Sequence, residues 1–432
     1  MGFLFFVVLI FAYGLVSKKI ERFNITGPMV FATAGLIFFV AGITSTELLP
    51  AREIVLVIGE TTLVLVLFAD ASRINLQFLR GNASLPTRLL GIGLPLTILS
   101  GTLIGAILLP GLNLLEAAIL AVILAPTDAG LGQAVVNDPR LPVRIRQALN
   151  IESGLNDGIS VPFLMLFIAL LTAEETHNHL YWVQFTVQQI GVGALVGILL
   201  GLAGAWLLKQ ALRRGWVSSA FKELCLLALA VLTYLLAGSL GGNGFIAAFA
   251  AGITTGFIFQ DIDRSSLGFV EAGSELLNLA VFFILGVLTT SFLPLLNIQV
   301  ILYAVLSLTL IRMLPVAISL LGTHLHPVSI LLMGWFGPRG LASIVLTLVF
   351  IEESAAVPNS KYIALIVFTT VFLSVFAHGI SAGPWIERYT RLLEKWGPDI
   401  PETRTVAELP TRKPASAAKI IDQPTAPPGI SP

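Results

Sequence analysis

Thirteen stretches of this chain are each long and apolar enough to cross a lipid bilayer, and that repetition decides what the sequence can fold into. A spanning helix needs about 20 mostly apolar residues, and in hydrocarbon only helices or closed barrels satisfy every backbone polar group. The stretches cover approximately 2–17, 28–46, 53–72, 88–110, 114–136, 147–171, 182–208, 219–238, 244–260, 270–293, 298–322, 327–351 and 360–387. We refer to them as segments 1 to 13. Segment 1 has no basic residue ahead of it and no small-residue cleavage site, so it is expected to be retained as a span. Composition points the same way. Charged residues make up 12% of the 432 residues and apolar residues 56%, whereas soluble domains carry roughly a quarter charged. A soluble enzyme, a nucleic-acid binder and a disordered chain are thereby excluded, and the net charge of zero leaves no basic footprint for nucleic acid. The fold class expected is an all-α polytopic membrane protein.

Lys and Arg sort sharply by loop. Twenty-one of the 25 fall in odd-numbered loops and the C-terminal segment, only Arg52 and Lys361 fall in even-numbered loops, and Arg312 and Arg339 lie inside segments. By the positive-inside rule the N-terminus is expected outside and the C-terminus in the cytoplasm, with an odd number of spans. The expected organisation is a membrane part over 1–390 and a short cytoplasmic tail over 391–432. The tail is rich in Pro from Pro398 onward, is expected to be disordered, and is expected to be dispensable because it carries no span and no motif. Cys225 is the single cysteine, expected in the core.

Two segments are interrupted near mid-membrane. Segment 5 reads AILAVILAPTDAGLGQAVV and breaks at Pro126-Thr127-Asp128; segment 12 reads ILLMGWFGPRGLASIVLTL and breaks at Gly337-Pro338-Arg339-Gly340. They are seven spans apart, so the halves of the chain run through the membrane in opposite senses. Interrupted helices at corresponding positions of an inverted repeat point to a transporter's substrate site. Segments 1–6 and 8–13 form the two expected repeats, linked by segment 7.

Ionisable residues at this depth cost roughly 2.5–3.5 kcal/mol each and need a reason. Segment 6 contains QALNIESGLNDGISVPFLML. Ser153 and Asp157, four apart, share one helix face; Glu152 and Asn156 share the adjacent one. Carbonyls freed around Pro126 and Thr127, with the Thr127 hydroxyl and Asp128, would add oxygen ligands. An oxygen cage with few negative charges suits a desolvated monovalent cation, where a divalent site would want more carboxylates. Arg339 is expected to neutralise Glu152, and Arg312 to neutralise Glu271 or Glu275. Asp128 is also expected as a helix cap, Asp70 as a boundary carboxylate near Arg73, and His378 as a satisfied buried histidine. His177 with His179, and His324 with His326, are expected as solvated loop residues. Gly193, Gly197 and Gly201 are expected to form a close-packing ridge.

PTDAG followed by ESGLNDG resembles the paired signature of the monovalent cation/proton antiporter superfamily, in its sodium/proton exchanger branch. GETTLVLVLF in segment 3, GGNGFIAAFAAG opening segment 9 and GPRGLAS in segment 12 resemble that family in the same order. The resemblance covers about 1–390. It implies a thirteen-helix inverted-repeat fold, usually homodimeric, in which a core of segments 4–6 and 11–13 moves against an interface domain. It implies Asp157 as carrier of cation and proton, Asn156 as its partner, Thr127, Asp128 and Ser153 as the rest of the site, and Glu152 with Arg339 as a supporting pair. Some relatives carry a cation-contacting Glu where this chain has Ala69, with Asp70 next to it, so Asp70 is a further candidate. The activity implied is exchange of Na⁺ (or Li⁺) for H⁺ without a cofactor, in the plasma membrane of a prokaryote. A K⁺/H⁺ exchanger is the alternative within the fold, and a cation-coupled solute symporter a remoter one. An enzyme is not expected, and the HExxH pattern is absent.

Overall fold

The computed structural model describes residues 2–21, 25–40, 52–73, 84–176, 179–259, 268–353, 359–397, 400–404 and 406. Each apolar stretch contributes helix among the described residues. We number the helices by stretch: α1 Gly2–Glu21, α2 Gly27–Val40, α3 Arg52–Ser72 and α4 Ser84–Leu108. Helix α5 is split into α5a Leu114–Ile123 and α5b Gln133–Val136. There follow α6 Val143–Thr176, α7 His179–Arg213, α8 Ser219–Ser239, α9 Gly244–Ile258 and α10 Gly268–Phe292. Helix α11 is split into α11a Ile298–Leu308 and α11b Leu310–Ser319, and α12 into α12a Pro327–Trp335 and α12b Leu341–Glu353. Helix α13 spans Ser360–Trp396.

Contacts between helix ends respect the parity of the loops. Arg88 donates to the carbonyls of Ser319 and Leu321, Lys209 to that of Ile258, and Arg144 to that of Pro401, all on the face bearing the basic loops. On the opposite face Asn359 donates to Gly111 O and to Glu116, and Asn243 N–H to Gln189 O. A missed or invented span would mix these two sets.

Glycines let the repeats interlock. Ideal Cβ atoms at Gly193, Gly197 and Gly201 of α7 would lie 2.6, 2.9 and 2.7 Å from backbone atoms of Asn243, Ala247 and Ala251. The expected ridge is therefore the seam between α7 and α9. Gly35 and Gly286 bring α2 and α10 into backbone contact, and Gly252 and Gly256 do the same for α9 and α3. Under the repeat relation α2 corresponds to α9 and α10 to α3, so the two seams are equivalent. The corresponding helices α4 and α11 are both irregular, with a π turn at Leu89–Gly93 and a break at Thr309 (φ −111°, ψ −95°).

Two expectations are corrected. The described part of the tail is ordered: α13 runs to Trp396, Pro401–Thr403 form a 3₁₀ turn, and Glu402 is 1% exposed. Cys225 is exposed on α8 rather than buried. His177 and the tail from 407 lie outside the described residues, as do the side chains of His179 and Glu271.

Candidate functional site

Proline ends both broken helices. It supplies no N–H and its ring crowds the carbonyl four residues earlier, so α5a stops before Pro126 and α12a before Pro338. The two breaks meet. Asp128 N–H donates to Pro338 O at 2.8 Å, and Ser343 Oγ to Ile123 O at 2.7 Å.

Each broken end carries a partial charge, and the partner break supplies the opposite one. The C-terminal carbonyls beyond α5a, Ala125 O and Pro126 O, accept from Arg339 Nη1 at 2.6 and 3.1 Å. At the N-terminus of α12b, Leu341 N–H donates to Asp128 Oδ2 at 2.9 Å. A cation at a helix C-terminus and an anion at an N-terminus are both favourable pairings with the helix dipole. Asp128 Oδ1 also accepts from Gly130 N–H and Leu131 N–H at 2.7 and 3.1 Å, closing the turn that leads to α5b. Asp128 thus caps both broken segments at the crossing.

This corrects the expected ion pair. Glu152 is held by Arg312, whose Nη1 and Nη2 donate to Oε1 and Oε2 at 2.6 and 2.8 Å. Arg339 instead serves the carbonyls of α5a, and Arg312, expected to neutralise Glu271 or Glu275, takes Glu152. Gly337 makes room for this pair, since an ideal Cβ there would stand 2.5 Å from Arg312 Nε.

Beside the crossing, α6 presents the carrier candidates. Thr127 Oγ1 lies 2.9 Å from Ser153 Oγ and accepts from Asn156 Nδ2 at 2.6 Å. Thr127, Ser153, Asn156 and Asp157 are all buried. Asn156 Oδ1 and Asp157 Oδ1 are buried acceptors that meet no donor among the described residues. Buried polar groups in folded proteins are nearly always paired, so two such oxygens on adjacent residues mark a place prepared for something electropositive. Asp70 faces the same helix, its Cβ 3.6 Å from the position a Cβ at Gly154 would take.

The second repeat has a parallel arrangement with a different outcome. Ser374 Oγ on α13 accepts from Arg339 N–H at 2.7 Å and lies 3.1 Å from His378 Nδ1, while His378 Nε2 lies 2.8 Å from Trp335 O. Ser153 and Asp157 on α6 and Ser374 and His378 on α13 have the same four-residue spacing. His378 has both ring nitrogens engaged and ties the two sides of the α12 break together. Glu116 closes a capping box with Asn113, for which the NLLE pattern is a sequence signature. Its carboxylate accepts from Asn113 N–H at 2.8 Å and from Asn359 Nδ2 at 3.0 Å, joining the starts of α5a and α13.

The sodium/hydrogen exchanger transmembrane family matches residues 5–388. Among curated relatives, the chain is 27% identical over 359 residues to "K(+)/H(+) antiporter NhaP" of Alkalimonas amylolytica, covering 80% of this chain and 60% of that one. It is 25% identical over 280 residues to "K(+)/H(+) antiporter NhaP2" of Shewanella sp. (strain ANA-3), covering 62% and 46%. The chain therefore spans about half the length of these relatives. The sodium proton antiporter MjNhaP1 from Methanocaldococcus jannaschii has the same fold, with a TM-score of 0.73 at 23% identity over 89% of this chain and 97% of that one. A match through nearly all of the helical part, on a fold whose two broken helices cross beside Asn156 and Asp157, makes this chain a member of the sodium/hydrogen exchanger transmembrane family.

Proposed function

We propose that the protein is a secondary antiporter that exchanges a monovalent cation for H⁺ by competition at Asp157. The observation that carries this reading is the pair of buried acceptor oxygens, Asp157 Oδ1 and Asn156 Oδ1, beside the hydroxyls of Thr127 and Ser153. A dehydrated cation would complete that oxygen set. So would a proton on Asp157, and one carboxylate holds only one of the two at a time. A bound cation favours the ionised carboxylate and a bound proton neutralises it, so the occupant follows the relative concentrations of the two ions. Alternation of the loaded site between the two membrane faces then couples the flows. The commitment of Arg339 and Asp128 to helix ends supports this division of labour, because it leaves Asp157 as the group to be loaded. Asp70 would tune the site by its charge.

Na⁺ or Li⁺ is the cation we assign, and K⁺ is the second reading, favoured by the names of the two curated relatives. In this reading the basic face of the bundle is cytoplasmic, the N-terminus lies outside, and the protein acts as a homodimer in the plasma membrane of a prokaryote. Sealed liposomes carrying the purified protein, with an internal pH dye and outward gradients of Na⁺, Li⁺ or K⁺ in turn, test the function and rank the ions. Proton movement driven by at least one of them is expected. No proton movement with any of the three would defeat the antiporter reading.

A further inference from the structure

Residues 400–404 form a strap against the basic face, and a carboxylate from this strap is inserted between helices. Glu402 is 1% exposed. Its Oε1 accepts from His326 N–H and from Ser329 Oγ, both at 2.7 Å, and Ser329 Oγ lies 2.8 Å from Tyr389 Oη on α13. The neighbouring carbonyl, Pro401 O, accepts from Arg144 Nη1 at 2.5 Å. The His326 ring stacks on Trp396 with centroids 3.9 Å apart, and its Nδ1 accepts from Val328 N–H. Burying a carboxylate is costly unless it is hydrogen-bonded, and here the bonds are to the N-terminus of a helix, where negative charge is favoured.

The helix so held is α12a, nine residues long. It is a rod of about 13 Å, with Glu402 at one end and the break at the other. Through that break it presents Pro338 O to Asp128 N–H and Arg339 to the end of α5a. Arg144, held by the same strap, lies at the start of α6, which carries Asn156 and Asp157 farther along. The strap thus joins the outer ends of the two helices whose inner parts form the candidate site.

We propose that Glu402 is a positioning residue for exchange: by seating the strap on α12a and α6, it sets where the α12 break stands relative to Asp157. This rests on the antiporter reading above, and replaces the expectation that the chain is dispensable from Pro398 onward.

The test uses liposomes with the cation the wild type transports best, measuring maximal rate, half-saturating cation concentration and the pH profile. The full chain is compared with Glu402→Ala, Glu402→Gln, Ser329→Ala, and versions ending after Ile400 or after Arg404. Glu402→Ala and the version ending after Ile400 should raise the half-saturating concentration at least threefold and displace the pH profile in the same direction. Glu402→Gln should recover most of the shift, because its amide oxygen accepts the same two bonds; Ser329→Ala should show a smaller shift of the same sign. The version ending after Arg404 should match the full chain. Unchanged half-saturation and pH profile in Glu402→Ala, even with a lower melting temperature, would overturn the proposal, as would a Gln variant as altered as the Ala variant. Should Glu402→Ala not fold, an unaltered Ser329→Ala would overturn it instead. Absence of exchange in the full chain itself defeats the antiporter reading, a separate outcome.

Discussion

Arg312 grips both oxygens of Glu152, at 2.6 and 2.8 Å, with both side chains almost fully buried. Two parallel N–H···O bonds of this kind fix orientation as well as distance. The pair ties α11b to α6 a few residues from Asp157, and Gly337 is the surface on which the guanidinium rests. Removing one partner of a buried pair leaves an uncompensated charge and costs on the order of 3–5 kcal/mol. Arg312→Ala should therefore be severely destabilised in detergent, and adding Glu152→Gln should recover part of the loss. The same cycle with Arg339 in place of Arg312 should show much weaker coupling. Thermal unfolding of the wild type and the three variants of each cycle measures this; equal coupling in both would contradict the assignment.

Asp128 accepts three backbone N–H groups, from Gly130, Leu131 and Leu341. Loss of one helix cap costs about 1 kcal/mol, so Asp128→Ala should lose on the order of 2 kcal/mol. Asp128→Asn, which keeps one acceptor oxygen, should lose less and retain exchange. An Asn variant that folds but no longer exchanges would show that Asp128 takes part in transport directly.

With Asp128 held as a cap and Asn156 beside Asp157, one carboxylate carries the exchanged charge, so exchange should be electroneutral. Moving one net charge through 100 mV is worth roughly 2.3 kcal/mol, and a one-for-one cycle would not feel it. Liposomes with cation and pH gradients set to cancel, then given a potential by a K⁺ gradient and valinomycin, should show no net movement of Na⁺. Sustained potential-driven Na⁺ movement would bring in a second proton carrier.

The loop between α5b and α6 offers a pH control. Burial works against the ionised Asp138 carboxylate, but the hydrogen bonds and charge of Arg140, with the charge of Arg146, outweigh it and hold its pKa below the usual carboxylate range. A native pKa below the unfolded one gives stability that is present above about pH 4 and is lost as the pH falls through the native value. Arg140 is half exposed, so the pair should contribute about 1 kcal/mol or less. Asp138→Asn should lower the melting temperature slightly at pH 7, converge with the wild type in strong acid, and leave the pH profile of exchange between pH 6 and 9 unchanged. A displaced exchange profile would make this loop part of the proton path.

What was legible in the sequence was whatever local rules govern. Apolar length located the helices among the described residues, Pro126 and Pro338 the two breaks, and three glycines four apart the α7 seam. The partner of Arg339 was not legible, because a guanidinium buried at depth was matched to a carboxylate, whereas the competing partner was a set of helix-end carbonyls that exists only once α5 and α12 cross. Arg312 was assigned to α10 for the same reason: sequence order does not say which helix α11b faces. The role of Glu402 was hidden by its setting, since a Pro-rich polar stretch reads as solvated unless one sees the open helix N-terminus at His326 that receives the acid. Placement of Thr127, Ser153, Asn156 and Asp157 together followed from helix spacing and the break, both local features.

The central claim is that Asp157 is the group on which cation and proton compete. Asp157→Asn keeps the shape of the side chain and removes its ability to bind a proton or to neutralise a cation. Cation-driven proton flux in liposomes, compared between wild type and Asp157→Asn at equal amounts of folded, inserted protein, is the most direct measurement. The account predicts no flux above protein-free liposomes in the variant at any pH between 6 and 9; flux at the wild-type rate would contradict it.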